Sequence, residues 1–510
     1  MVDAAPPFDL AVTIYRDPDR AADTPLNRNY PQGLAMISET RRVTLPKGES
    51  TIRFEGVAEG MIGVSAIVTG LPGGTIEKNR NAQLLSPAAL VDGTLGNRVT
   101  VTRTNPATGA QTSEQAVVRT RADGGLVLET AQGFEAVRCS GLPEKLAFAR
   151  VPPGLSAKPV FSVDTNSPEG GTYEVTLTYL AWGFDWQANY IATLAQPGAG
   201  KGGEFGLDVL SWLTLVNDNG QGFDQARLQV VAGKLNLESD YLSLAEPPRA
   251  APLRLECWPL GSTAEGVPVP KPYPMSAPPP PPPPPPAPMM MAADAVVVTG
   301  SRLRANAVMT AREENLGDLK LFRVPTRVDV SAKAMKQVAF LDKEGVRARY
   351  LYEASCEAGG AEADTPAPAS LLLVTKNEEA KGLGVALPQG AMTLYEPGPR
   401  GDRLAGRTTL RDYARGQDME LKLGQSRQVF ARCAAIAPPS GARGWTAMRA
   451  ELTNANPHAV SLRLVLAGPG VGLRVPGKVA VKNGMQTLEV TLPANGTRRI
   501  DWRLRGEAGG

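Results

Sequence analysis

Nine consecutive prolines at residues 278–286 place the strongest constraint on how this chain of 510 residues can fold. Proline fixes φ and has no N–H, so the run cannot enter the interior of a helix or a sheet, and it favours an extended polyproline II segment of about 28 Å. It lies within a longer stretch that is poor in core-forming residues, at about 261–293. The sequence therefore predicts two folded parts, which either stand apart on a semi-rigid spacer or pack together while the spacer loops out.

Short runs rich in Val, Ile and Thr recur in both parts and are separated by turn signals, which is typical of β-strands. Residues 172–180 alternate between apolar and polar side chains for most of their length, so one face of that strand is predicted to be buried. The 53 glycines, the 45 prolines and the 5% aromatic content favour many strands joined by turns over long helices. Helical patterning is weak and is confined to 82–90, where Pro87 would interrupt it, and to 301–315.

Three Asn-Gly dipeptides mark predicted hairpin turns, because Asn and Gly readily adopt the positive φ that tight hairpins need. They are Asn219-Gly220, Asn483-Gly484 and Asn495-Gly496. Together with the many short strands, these turns predict β-sandwiches.

Charge and composition exclude several classes of site. Lys and Arg number 54 and Asp and Glu number 51, so the formal charge of +3 argues against a dedicated nucleic-acid-binding protein. The single histidine, His458, lies in a predicted turn between two strands, so a His-rich metal site cannot form and a Ser-His-Asp triad would need this residue. No metal site and no cofactor are predicted. No apolar run reaches 18 residues, so no transmembrane segment is predicted either.

The beginning of the chain and its cysteines bear on the cellular compartment. The short Ala- and Pro-rich lead looks like the start of a protein whose signal peptide has been removed. None of the four cysteines forms a Cys-x-x-Cys pair. In an oxidising compartment the simplest disulfides are Cys139–Cys257 and Cys356–Cys433, one in each part. The two other pairings and four separate buried thiols are the alternatives.

Three segments of the first part stand out: the run 179–190, YLAWGFDWQANY, and the segments 207–217 and 226–233. They resemble the signature of the DUF4139 family. Further similar segments follow the proline run or precede the signature: 319–325, 336–341, 377–388, 391–396, 33–37, 53–57 and 101–109. The resemblance covers nearly the whole chain except the spacer. It implies an exported β protein of a Gram-negative bacterium, periplasmic or associated with the outer membrane. It carries no catalytic residue, because the function of the family is unknown.

A second resemblance follows the proline run. Residues 295–303, AVVVTGSRL, are similar to a segment near the N-terminus of many TonB-dependent outer-membrane receptors, where the TonB box lies. A β-branched run on a tether can add as a strand to an exposed sheet edge of a partner. The predicted partner-binding residues are Val296, Val297, Val298, Thr299 and Gly300. The resemblance implies an envelope partner, such as a TonB-dependent receptor or a component of the TonB system. The receptors, however, carry this segment before a plug and a long barrel, and neither is visible in this sequence. The alternatives are a strand that pairs within the chain and a coincidental Val-rich stretch.

The fold class predicted from these observations is mainly β, with two or more β-sandwich-like domains joined by a proline-rich linker. The predicted division is an N-terminal β domain at 1–160, a DUF4139-like β domain in two parts at 161–260 and 304–440, the linker with its Val-rich segment at 261–303, and a C-terminal β-sandwich at 441–510.

One aromatic cluster is the best candidate for a chemical site. Trp182, Asp185, Trp186 and Tyr190 place aromatic rings beside a carboxylate, which could stack a sugar ring and supply an acid or a base. A glycoside hydrolase would need a second carboxylate across an open cleft, roughly 5–9.5 Å from Asp185. Closely spaced Trp and Tyr residues are more often core side chains that fix one sheet against another.

The sequence thus favours a non-catalytic scaffold or interaction protein of the cell envelope that binds partners by β-strand addition. The alternative is a carbohydrate-active hydrolase that uses Asp185 and a second carboxylate.

Overall fold

The computed structural model describes residues 1–81, 84–105, 107–120, 126–136, 144–152, 155–195, 203–234, 311–356, 365–437 and 444–505. Within these residues, fifteen strands and one helix precede the proline run. The strands are β1 (Val2–Asp3), β2 (Asp9–Tyr15), β3 (Gly33–Leu45), β4 (Gly48–Glu55), β5 (Met61–Thr69), β6 (Glu77–Asn81), β7 (Arg98–Thr104), β8 (Gln111–Val118), β9 (Val127–Thr130), β10 (Gly133–Ala136), β11 (Glu144–Phe148), β12 (Val160–Ser167), β13 (Gly171–Leu194), β14 (Phe205–Asn217) and β15 (Phe223–Ala232). The helix is α1 (Pro87–Gly93).

Thirteen strands follow the proline run in the described residues, together with a short 3-10 helix at Glu379–Lys381. The strands are β16 (Arg312–Leu316), β17 (Leu319–Val330), β18 (Ala334–Ser355), β19 (Ala367–Lys376), β20 (Gly390–Glu396), β21 (Arg403–Leu410), β22 (Asp418–Ala437), β23 (Thr446–Asn454), β24 (Val460–Ala467), β25 (Gly472–Arg474), β26 (Val479–Lys482), β27 (Met485–Leu492) and β28 (Gly496–Arg505). The predicted mainly β class is confirmed.

Strands from the two sides of the proline run pair directly with each other. β14 is antiparallel to β18, and β15 is antiparallel to β17. β13 is parallel to β20, and β2, near the beginning of the chain, is parallel to β15. These pairings show that the two parts pack together, which is one of the two arrangements that the proline run allows.

The 24-residue strand β13 organises the largest core. Its first half pairs with β3 and β5, and its second half pairs with β14 and β20. A bulge at Gly183, which has a φ of 86°, shifts the alternation of buried side chains by one residue. From Val175 to Ala181 the odd-numbered positions are buried before the bulge, and the even-numbered positions from Phe184 are buried after it. This shift brings Trp186 and Tyr190 into the core.

Two smaller sheets complete the N-terminal region. In the first, with strand order β1-β4-β12-β6, Phe54 and Phe161 belong to the same core as β3 and β13. The second has strand order β10-β9-β8-β7-β11 and shares a separate small core with α1.

The helix α1 corrects the sequence-based expectation for 82–90. Pro87 does not interrupt this helix but begins it, because the first turn of a helix needs no N–H donor at that position. The side chain of Ser86 caps the helix by accepting a hydrogen bond from the Ala89 N–H at 3.2 Å. The helical expectation for 301–315 is wrong where it can be checked, since 312–315 belong to strand β16.

The last part of the chain forms two sheets that face each other. Strands β24, β27 and β26 belong to one sheet, and strands β22, β23, β28 and β25 belong to the other. The two are joined along one side by β18 and β19, which pair with each other, with β24 and with β22. Between them lies a core that contains Leu462, Leu464, Ile500 and Trp502. We call this unit the C-terminal sandwich.

Only one of the three predicted Asn-Gly hairpins forms. Asn483 and Gly484 have φ values of 51° and 80° and connect the paired strands β26 and β27. Asn219-Gly220 connects β14 to β15, which are not paired, because β13 and β18 flank β14 while β2 and β17 flank β15. Asn495-Gly496 connects β27 to β28, which lie in opposite sheets of the C-terminal sandwich.

Candidate functional site

Asp185 in β13 is buried in an ion pair with Arg20. The side chain of Asp185 is 2% exposed and that of Arg20 is 4% exposed. Asp185 Oδ2 accepts a hydrogen bond from Arg20 Nη1, and Oδ1 accepts from the N–H groups of Asp17 at 3.1 Å and Trp186 at 2.8 Å. Arg20 Nη2 also donates to the Trp186 carbonyl oxygen at 2.6 Å. The carboxylate thus fastens the loop between β2 and β3 to β13.

Gly33 shows how tightly this region is packed. A Cβ at this position would lie 2.6 Å from the carbonyl oxygens of both Tyr15 and Phe184, and 3.0 Å from Asp185 Oδ1. These distances exclude any residue other than glycine without a backbone shift.

A second ion pair fastens the same loop to the other side of the proline run. Arg16 donates two hydrogen bonds to Asp412, at 3.1 and 2.7 Å. Asp412 Oδ1 also accepts from the Gln389 N–H at 2.8 Å, and the Gln389 side chain donates to the Arg20 carbonyl oxygen at 3.1 Å. Unlike Asp185, Asp412 is 44% exposed.

The aromatic residues of the cluster pack between the sheets of the protein. Trp186 is fully buried, and its Nε1 donates to the Val231 carbonyl oxygen at 3.2 Å. The Tyr190 hydroxyl donates to the Pro388 carbonyl oxygen at 2.7 Å, and Tyr190 is 2% exposed. Trp182 is half-buried beside Leu34 and Ile62. These rings pack sheets against each other and do not line an open cleft for a sugar.

The environment of Asp185 removes the basis of the hydrolase hypothesis. Both of its oxygens are occupied by donors of the same chain, and its side chain has almost no contact with solvent. A carboxylate that acts on a glycosidic bond must face a cleft that admits the sugar and a water molecule. Asp185 therefore has a structural role in this fold.

Burial raises the pKa of Asp185 to about 6, against the opposing effects of the Arg20 guanidinium and of the N–H groups of Asp17 and Trp186. Burial likewise lowers the pKa of Arg20, while the charge of Asp185 acts in the opposite direction. The fold therefore holds a proton on Asp185 more tightly than the unfolded chain does.

A pH-dependent stability is expected from Asp185. Its stabilising contribution should be complete below about pH 4, where the unfolded carboxyl is also protonated, and should be lost as the pH rises through 6. The loss corresponds to about 3 kcal/mol. The measurement is urea unfolding of the wild type and of Asp185→Asn, which cannot titrate, from pH 4 to pH 7. Parallel pH profiles of the two proteins would contradict this expectation.

The structure confirms one of the two predicted disulfides. Cys356, which follows β18, is bonded to Cys433 in β22, with a Cα–Cα distance of 5.5 Å. Cys139 and Cys257 lie outside the described residues, and so do the predicted partner-binding residues Val296, Val297, Val298, Thr299 and Gly300. His458 lies between β23 and β24, as predicted.

The described residues also include open sheet edges, where a strand has a neighbour on one side alone. Strand β26 of the C-terminal sandwich is one such edge, since it pairs only with β27 within the described residues. Its Val481 is 71% exposed and its Val479 is 37% exposed. No proline lies within β26, and its one charged residue, Lys482, stands next to the turn and forms ion pairs with Asp418 and Glu420. Residues 479–481 therefore carry none of the charges or prolines that commonly block strand addition.

The hairpin geometry fixes which backbone groups of β26 are free to pair. In a two-residue hairpin the residues that flank the turn, here Lys482 and Met485, exchange both hydrogen bonds. Bonded and non-bonded pairs alternate, so Ala480 also bonds to β27, whereas the N–H and C=O groups of Val479 and Val481 point away from it. These outward groups are available to a further strand.

No protein-family model matches the chain, and no curated protein matches it. Within the described residues there is no group of three or more His, Cys, Asp or Glu side chains that could hold a metal ion. No helix in the described part of the chain is long and apolar enough to cross a membrane.

Neither Arg20 nor the edge strand β26 was predicted from the sequence. Arg20 lies in a loop far from Asp185 in the chain, and no local pattern links an arginine to a carboxylate 165 residues away. For β26 a signal was present, because the Val-Ala-Val-Lys run precedes the Asn483-Gly484 turn. A strand must lie on each side of such a turn, so this run was recognisable as the first of the two.

Proposed function

We propose that this protein is a non-catalytic scaffold of the Gram-negative cell envelope, periplasmic or associated with the outer membrane, that binds partner proteins by β-strand addition. The observation that carries the proposal is the open edge of β26, with its exposed valines and outward backbone groups. Main-chain hydrogen bonds at such an edge supply affinity, and the alternating side chains supply specificity.

The Val-rich segment 296–300 is the second element of the proposal, as a strand that the protein offers to an edge of its partner. Gly300 precedes Arg312 of β16 by twelve residues, so covalent geometry limits the distance between them to about 40 Å. The proposed partners are envelope proteins, with a TonB-dependent receptor or a component of the TonB system as the first candidates. The Cys356–Cys433 disulfide supports an oxidising compartment, since disulfides persist there and are rare in the cytosol.

Proline substitutions test strand addition directly. Val481→Pro removes an outward N–H of β26 without breaking a bond to β27, and Val297→Pro removes a donor from the Val-rich segment. Val481→Ala and Val297→Ala shorten the same side chains but keep the N–H groups. Each protein is used as bait in a pull-down from envelope extract. Partners recovered by the wild type and the alanine variants should be lost from at least one proline variant.

The same experiment can refute the proposal. If both proline variants recover the same proteins in the same amounts as the wild type, neither backbone pairs with a partner. Circular dichroism of the Val481→Pro protein checks that the C-terminal sandwich remains folded.

A further inference from the structure

The outward face of one sheet of the C-terminal sandwich is strongly basic. Strand register places six arginines and two carboxylates on the outer side of β22, β23, β28 and β25, opposite to the core residues Ile500 and Trp502. They are Arg432, Arg449, Glu451, Arg474, Arg499, Asp501, Arg503 and Arg505. We call this surface the arginine face.

Both carboxylates of the arginine face are already engaged by arginines. Glu451 accepts from Arg432 at 2.8 Å and from Arg499 at 2.8 Å, one arginine on each oxygen. Asp501 accepts two hydrogen bonds from Arg449, at 2.8 and 2.9 Å. Arg449 thus holds Asp501 in the forked geometry that arginine favours, and Glu451 is held between two arginines.

Three arginines at one end of the face have no carboxylate partner among the described residues: Arg474, Arg503 and Arg505. Arg474 lies directly opposite Arg503 in the strand register. Like charges at directly opposed positions destabilise a sheet. The positive charges of Arg474 and Arg503 therefore repel each other in the isolated protein, and a bound anion would offset this repulsion.

Trp445 holds two of these arginines in place. The guanidinium carbon of Arg474 lies 4.4 Å from the centre of a Trp445 ring, and that of Arg505 lies 5.2 Å from it. The stacking keeps both guanidinium groups at fixed positions on the face.

An open groove of about 480 Å³ lies beside these arginines. Arg474 and Arg503 line it together with the apolar side chains of Ile436, Val475 and Pro476. Ile436 is 49% exposed although it is a large aliphatic side chain. Asp501 also lines the groove, but both of its oxygens accept hydrogen bonds from Arg449. The groove thus combines two cations without a carboxylate partner and an apolar wall.

We propose that the arginine face binds an acidic polypeptide segment of a partner protein, with its carboxylates on Arg474, Arg503 and Arg505 and an adjacent apolar side chain in the groove. Carboxylate is the anion that the neighbouring arginines of the same face already bind. The Trp445 ring is stacked by arginine and is not free to stack a sugar or a base. This site lies on the sheet opposite to β26, so it does not depend on strand addition.

A defined polymer tests this proposal. The probe is a fluorescent copolymer of glutamate and tyrosine, compared with polyglutamate, with phosphatidylglycerol vesicles and with a sulfated polysaccharide. Fluorescence anisotropy with the full chain should show binding to the copolymer that weakens with added salt. Arg474→Gln/Arg503→Gln should weaken this binding by about tenfold or more. Polyglutamate, which lacks the apolar side chain, should bind more weakly than the copolymer.

The matched control is Arg98→Gln/Arg400→Gln, which removes the same charge from exposed positions in other parts of the fold. Its affinity for the copolymer should stay within about twofold of the wild type, because these residues do not belong to the arginine face. If both double variants lose the same affinity for the copolymer, binding depends on the overall charge of the protein and not on this site, and the proposal is overturned. Binding to the vesicles or to the polysaccharide without binding to the copolymer would overturn it as well.

Discussion

Arg20→Met is expected to lower the free energy of unfolding by about 3–5 kcal/mol at pH 7, because it leaves Asp185 buried without its cation. The substitution also removes the donor to the Trp186 carbonyl oxygen. At pH 5 the loss should be smaller, since burial raises the pKa of Asp185 to about 6 even against the lowering effect of Arg20, and the protonated carboxyl needs no cation. Urea unfolding at both pH values measures the difference.

Two variants isolate the cause of this effect. Arg16→Met removes the other arginine of the same loop, but its partner Asp412 is 44% exposed and water can solvate the remaining charge, so its effect should be smaller. Arg20→Met/Asp185→Leu removes both buried charges and should recover most of the stability. If Arg20→Met destabilises no more than Arg16→Met, the buried pair does not have the role described here.

Loss of the Cys356–Cys433 disulfide should destabilise the C-terminal sandwich strongly. The bridge joins residues 77 apart in the chain, and a loop of that length corresponds to about 4 kcal/mol of lost chain entropy in the unfolded state. We therefore expect a clear decrease in Tm for Cys356→Ala/Cys433→Ala. Calorimetry of the variant and of the oxidised wild type provides the measurement.

The control for this experiment is Cys139→Ala/Cys257→Ala, which leaves the described bridge intact. Its C-terminal sandwich should unfold at the wild-type temperature. Mass spectrometry after alkylation, without a reductant, shows whether Cys139 and Cys257 also form the predicted second disulfide. An unchanged unfolding temperature of Cys356→Ala/Cys433→Ala would be incompatible with a stabilising role of the bridge.

The fold class could be predicted from local patterns because strands, turns and prolines leave signals in neighbouring residues. The run 172–180 alternates as a half-buried strand should, and its residues lie within β13. The Asn483-Gly484 turn was equally local. Strand pairing, in contrast, depends on residues far away in the chain. Asn219-Gly220 is also an Asn-Gly turn, but the strands on either side of it, β14 and β15, pair with distant strands and not with each other.

The residues of the candidate site are brought together by a bulge and by contacts between distant parts of the chain, and local sequence patterns do not show either. The bulge at Gly183 changes which residues of β13 face the core, and alternation alone cannot place it. Asp185 was recognised as unusual, but its partner Arg20 lies in a loop whose position is set by tertiary contacts. The arginine face likewise arises only when β23, β25 and β28 lie side by side.

The parallel pairing of β13 with β20 has a consequence for synthesis. Ala188 lies opposite Gly390, so an edge of β13 stays uncovered until about two hundred further residues have been made. At the usual pace of translation that interval lasts about 10–40 s. The largest core therefore cannot be completed until the second half of the chain has been made, and the waiting edge of β13 is open to wrong pairing during that time.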